Sequence, residues 1–106
     1  MSSKYHVAII LYKSSSDANG YVPMFEESIT LIKANTEAEA RKSAECLAHS
    51  RGAKFKNEKG EEITWVFDKI IDIAPMLEDN LKDVTEIYSR HFANINAYKQ
   101  FEELAD

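Results

Sequence analysis

The sequence predicts an α+β fold: a small antiparallel sheet in β-β-α-β-β order packed on one helix, followed by a helical C-terminal extension. Three observations carry that expectation. Met24 to Gly52 reads as a strand that runs directly into a helix; Ile63 to Ile73 alternates apolar with polar residues; and beyond Pro75 apolar residues recur at spacings of three and four. With 106 residues the chain has material for one modest core, so 1–106 is expected to form a single α+β domain with 76–106 as its helical extension.

The strand-to-helix junction is the best-marked point. Thr36 followed by Glu39 has capping-box spacing, in which the Thr hydroxyl accepts from the Glu39 N–H and the carboxylate reaches back to the N–H of Thr36. Glu37 and Glu39 suit the positive end of the helix dipole, His49 and Arg51 suit the negative end, and Gly52 is placed for a left-handed terminating residue. Ala40, Ala44, Leu47 and Ala48 share one face. Three of the four are alanine, so this helix can lie close to a sheet.

Tyr5 to Lys13 is apolar on both alternating rows and reads as an interior strand covered on both sides. Ser14 to Tyr21 forms a mobile loop with Asn19-Gly20 as its left-handed element. In the second strand Phe25, Glu27, Ile29 and Leu31 share one row, while Glu26, Ser28, Thr30 and Ile32 share the other. Ala53 to Lys56 is a short third strand, and Asn57 to Gly60 a type I turn closing in a bulge. The fourth strand sets Ile63, Trp65, Phe67, Ile71 and Ile73 in one row and Thr64, Asp68 and Asp72 in the other, and Pro75 stops it.

In the extension the apolar seam runs through Leu77, Leu81, Val84, Tyr88, Ile95 and Tyr98, with His91 at its one polar position. A continuous helix from Leu77 to Leu104 would be about 42 Å long. That exceeds a strand of about 20 Å, so it is expected to bend near Asn94 to Asn96 or to project.

Charge and composition narrow the function classes. Lys and Arg number ten against eleven Asp and Glu over residues 1–75, and three against seven over 76–106, so most of the net −5 lies in the extension. That balance disfavours electrostatic binding to nucleic acid or anionic lipid. No apolar run approaches a membrane span of about 18 residues, the N-terminus lacks a signal-peptide cleavage pattern, and the lone Cys46 asks for no oxidising compartment. A cytoplasmic protein without membrane or nucleic-acid partners is expected.

Chemistry-bearing motifs are sparse. Three glycines leave no room for a phosphate-binding loop, and His6, His49 and His91 show no metal-ligand spacing, so neither cofactor nor metal is expected. Cys46 reads as a small buried residue. Adjacent strand residues Glu26 and Glu27 point to opposite faces, so one needs a partner if both faces are covered; Arg41 or a lysine could serve Glu27. Glu26, Glu27, Trp65 and His6 are the candidate ligand-binding residues, and Trp65 is equally explained as a core aromatic.

The pattern Phe25-Glu26-Glu27-Ser28-Ile29, Leu31-Ile32, Ala34, Thr36, Glu39-Ala40 and Ala44, followed by Asn57, Gly60-Glu61 and Trp65-Val66-Phe67, resembles the uncharacterised bacterial family called domain of unknown function 4288. The resemblance covers roughly residues 4 to 75. It implies a topology but no activity.

Function is therefore expected to rest on the extension. Leu81, Val84, Tyr88, Phe92, Ile95 and Tyr98 present more apolar surface than a small sheet can cover, which predicts a non-catalytic protein-interaction module forming a homo-oligomer, most simply a dimer, or gripping a protein partner. One alternative is an acidic inhibitor or immunity-type protein that neutralises a basic partner. Another is a small-ligand binder or enzyme using Glu27 and Trp65.

Overall fold

A computed structural model describes residues 4–78 and 80–104. Asp79, Ala105 and Asp106 of the predicted acidic extension lie outside the described residues. The fold is α+β, with β1 (Lys4–Ser15), β2 (Phe25–Ala34), α1 (Glu37–Ser50), β3 (Ala53–Lys56), β4 (Glu62–Pro75) and α2 (Ile95–Glu102). All strand pairs are antiparallel, in the order β2-β1-β4-β3. The doubly apolar β1 is interior, as its two rows predict: Val7, Ala8, Ile9 and Ile10 are all buried.

One sheet face packs on α1. Ala40, Ala44 and Ala48 have no exposed surface and meet Ala8, Ile10, Tyr12, Ile32, Ala34 and Ile73 in a single cluster. Alanine at successive turns removes the side-chain layer that would hold helix and sheet apart. The Thr36 hydroxyl accepts from the Glu39 N–H at 3.2 Å, as expected. The Glu39 carboxylate, however, takes the N–H of Asn35 at 3.1 Å rather than that of Thr36. Three further expectations about this helix change. Leu47 is 37% exposed at the rim of the buried face. Cys46, two residues from both Ala44 and Ala48, is turned roughly 200° away from each and is exposed rather than buried. Among the described residues the glycines with positive φ are Gly20 and Gly60, so Gly52 does not supply a left-handed cap; the N–H of Arg51 closes the helix onto the Ala48 carbonyl.

The loop after β1 is tied at its base. Ser14 is fully buried: its N–H donates to the Met24 carbonyl at 2.9 Å, its Oγ accepts from the Met24 N–H at 2.8 Å and lies 2.6 Å from Tyr21 Oη. At the other hairpin Gly60 has φ +78 and donates to the Asn57 carbonyl, while the Asn57 N–H reaches Glu61, the predicted turn with its bulge.

In β4 the alternating row is broken twice. Register with β1 shifts between Ile9 and Ile10 and between Leu11 and Tyr12, leaving Ile71 and Asp68 as the extra residues. Trp65, Phe67, Ile70 and Ile73 therefore face α1. Ile71, placed in the core row by simple alternation, is 42% exposed. A bulge reverses which face the following residues take.

The extension departs most from expectation. Residues 80–94 form no helix, and the C-terminal helix is confined to Ile95–Glu102. Met76 still donates to the Tyr5 carbonyl, and Leu77 then bonds the Ile87 carbonyl at 3.4 Å, so the intervening residues form an excursion that returns to its origin. Within it the Thr85 hydroxyl accepts from the Lys82 N–H at 2.6 Å and bonds the Lys82 carbonyl at 3.2 Å. Such a side chain occupies backbone groups that a helix would use. Asn94 then caps α2 by accepting from the Ala97 N–H.

Candidate functional site

The sheet face opposite α1 carries Val7, Ile9 and Leu11 from β1, with Glu27 opposite Leu11 and Ile29 opposite Ile9 on β2, and Asp72 opposite Ile9 on β4. The extension crosses this face after its excursion. The Tyr88 hydroxyl donates to the Asp72 carboxylate, and Arg90 approaches Glu27 at 4.0 Å. Glu27 thus takes its cation from the extension, not from Arg41 or a lysine. Both partners of the ion pair keep solvent exposure, so it orients the chain more than it stabilises it. The Asp72 hydrogen bond, partial burial and the carboxylate charge together raise the Tyr88 pKa above 10.0, with Arg90 acting in the opposite sense.

Between the crossing segment and the sheet lies an open groove of about 670 Å³, lined by Ile9, Glu27 and Ile29 from the sheet and by Phe92, Tyr98 and Phe101 from the extension, among others. Phe92 stacks on Tyr98 with ring centroids 4.7 Å apart. The predicted interface residues remain open: Val84 is 89% exposed and Leu81 70%, while Phe92, Ile95 and Tyr98 each keep more than a third of their surface. Tyr88 alone of that set is half-buried, held by Asp72. His91 lines the groove and is exposed.

The predicted ligand-binding residues do not converge on one place. Glu26 and Trp65 share an open cleft of about 470 Å³ on the α1 side with Tyr12, Arg51 and Ala53. Glu27 is on the other face, and His6 lies six residues from Tyr12 along β1, about 20 Å away. His6 is buried, and among the described residues its Nδ1 has no hydrogen-bond partner. Sequence reasoning missed Arg51, whose guanidinium lies over the Tyr12 ring at 5.7 Å. It also missed the Tyr88–Asp72 and Arg90–Glu27 pairs; an arginine alone in an acidic segment was the available signal for the second. Among the described residues no group of three or more His, Cys, Asp or Glu side chains could hold a metal, and no helix is long and apolar enough to cross a membrane.

The arrangement defines a small α+β domain with one face sealed by a helix and the other loosely strapped by its own C-terminal segment. Residues 5–89 match the domain of unknown function DUF4288, and the chain belongs to that family. The match runs past Pro75 to residue 89, so the segment bearing Tyr88 is part of the family domain, and Arg90 and α2 follow it. Comparison with curated proteins and with solved structures finds no match.

Proposed function

We propose that this protein is a non-catalytic interaction module that self-associates through the strapped face. The observation that supports the reading is the incomplete closure of that face. Tyr88 and Arg90 fasten the extension, yet Ile29 of β2 and Phe92, Tyr98 and Phe101 of the extension stay exposed along one groove, and Phe25 and Leu31 are exposed in the same row of β2 as Ile29. Apolar surface of this extent on one side marks an association site. The overall dimensions agree: the radius of gyration is 17.0 Å, against about 13 Å for a compact chain of similar length. Light scattering on the full chain at tens of micromolar tests the reading. A dimer is expected, with dissociation on Phe92→Glu; a monomer throughout overturns it.

A second reading, a small-ligand site, has one observation in its favour. The cleft holding Glu26 and Arg51 sets an anion and a cation beside Trp65, which suits a small zwitterionic ligand with a flat apolar part. A thermal shift with such a ligand that vanishes in Glu26→Gln supports it, and no shift across a panel of amino-acid-like compounds retires it.

A further inference from the structure

We propose that the outer edge of β2 pairs with β2 of a second copy, antiparallel about a two-fold axis at Thr30, setting Glu27 opposite Lys33 of that copy and Ile29 opposite Leu31. The inference rests on the self-association reading and adds to it the strand, the register and the symmetry.

The edge is available. β2 is the terminal strand of the sheet, paired with β1 along its whole length from Phe25 to Ala34 without a register shift. Among the described residues no backbone hydrogen bond from outside the strand reaches its other side. Every second residue therefore presents an unpaired N–H and C=O outward. Long, regular edges are usually blunted by proline, a bulge or lysines. The opposite edge, β3, has only four residues and carries Lys54 and Lys56. β2 has neither proline nor bulge, and from Ser28 to Ile32 it has no charge.

Symmetry and charge select the register. A two-fold axis perpendicular to the sheet keeps each side chain on its own face, so residues of like parity must meet. Centring on Ile29 sets Glu27 against Leu31 and Phe25 against Lys33; centring on Leu31 sets Lys33 against Ile29; centring on Ser28 sets Glu27 against Ile29. On the face opposite α1 each of these sets a charge against an apolar side chain, whereas centring on Thr30 confines that mismatch to Glu26 and Ala34 at the ends of the pairing on the other face, where Glu26 is exposed. Centring on Thr30 alone matches opposite charges, Glu27 with Lys33, and apolar pairs, Ile29 with Leu31, each twice by symmetry. Cross-strand pairs of both kinds stabilise a sheet. Ile29 is 62% exposed and Leu31 43%, so pairing covers surface that is open in the single chain. Ile29 also lines the groove beneath Phe92 and Phe101, which places Leu31 of the second copy beside that groove.

The experiment uses the full chain in a Cys46→Ser background. Thr30→Cys is expected to form an intermolecular disulfide readily, since residues facing themselves across the axis have Cα atoms about 4.5–5.5 Å apart. Ser28→Cys and Ile32→Cys, each about 13 Å from its own counterpart, are expected to cross-link far less. In light scattering Lys33→Glu should weaken the dimer about tenfold or more, and mixing it with Glu27→Lys should restore a mixed dimer, because both cross-strand pairs become complementary again. A dimer that ignores Lys33→Glu, or that cross-links at 28 or 32 in preference to 30, overturns the proposed pairing while leaving self-association standing. A monomeric parent chain overturns both.

Discussion

The hydroxyl of Tyr88 donates to the carboxylate of Asp72, joining the returning C-terminal segment to the C-terminal part of β4 across sixteen residues of sequence. This bond holds the extension over β1 and so decides how much of the outer face is covered. Its pH dependence follows from the raised Tyr88 pKa. A group whose pKa is higher in the folded state contributes stability that is intact below its unfolded value, here 10.0, and lost as pH rises through the folded value. Tyr88→Phe should cost about 1 kcal/mol at neutral pH, and the difference between parent and variant should shrink above pH 10. Urea midpoints of the two proteins across that range measure it; a constant difference counts against the bond.

The alanine face of α1 predicts intolerance to size. Ala44 is fully buried among Ala8, Ile10 and the neighbouring alanines, with no surface through which a larger side chain could escape. Ala44→Leu should destabilise by about 1–3 kcal/mol through overpacking. Cys46→Leu, on the exposed side of the same helix, should change stability by less than about 0.5 kcal/mol. Chemical denaturation of the pair separates the two faces.

Local signals made the fold legible where a short-range rule governs the backbone. The Thr36 cap, the Asn57 to Gly60 turn and the doubly apolar β1 are each set by residues a few positions apart, and all three stand. The extension was not legible in the same way. Its spacing of three and four fits a helix seam, but Tyr88 is placed by Asp72 and Arg90 by Glu27, contacts formed only after the sheet exists. The candidate site failed for a related reason. Glu27 and Trp65 are both strand residues near one end of the sheet, yet register puts Glu27 opposite Leu11 and Trp65 opposite Ser14, on different faces. Pairing, not periodicity within either strand, decides that.

Gly52, just past α1, and Gly60, in the turn between β3 and β4, yield opposite expectations. A Cβ at Gly52 would meet only the Trp65 carbonyl oxygen at 3.7 Å, an ordinary contact, and no positive φ is required there. Gly52→Ala should be neutral or should stabilise by about 0.4–1 kcal/mol by restricting the unfolded chain. Gly60 has open space around it but φ +78, so Gly60→Ala should destabilise by about 1 kcal/mol. Differential scanning calorimetry on the two variants checks the signs, and a destabilised Gly52→Ala would mean that the helix end depends on that residue after all.

The bulges in β4 give the sharpest contrast, because two adjacent isoleucines exchange the roles that simple alternation assigns them. Counting in twos from Ile63 puts Ile71 in the core and Ile70 outside. The shift in pairing between Leu11 and Tyr12, with Asp68 as the extra residue, turns Ile70 toward the cluster under α1, and the shift between Ile9 and Ile10 leaves Ile71 unpaired and 42% exposed. Truncating a side chain costs transfer free energy plus the cavity left behind, and the second contribution arises only where neighbours cannot close in. Ile70→Ala should therefore destabilise by about 2–3 kcal/mol, and Ile71→Ala by about 1 kcal/mol or less. Equilibrium unfolding in urea with equal slopes for both variants makes the comparison direct. If Ile71→Ala proves the costlier change, β4 follows uninterrupted alternation and the two bulges are absent in solution.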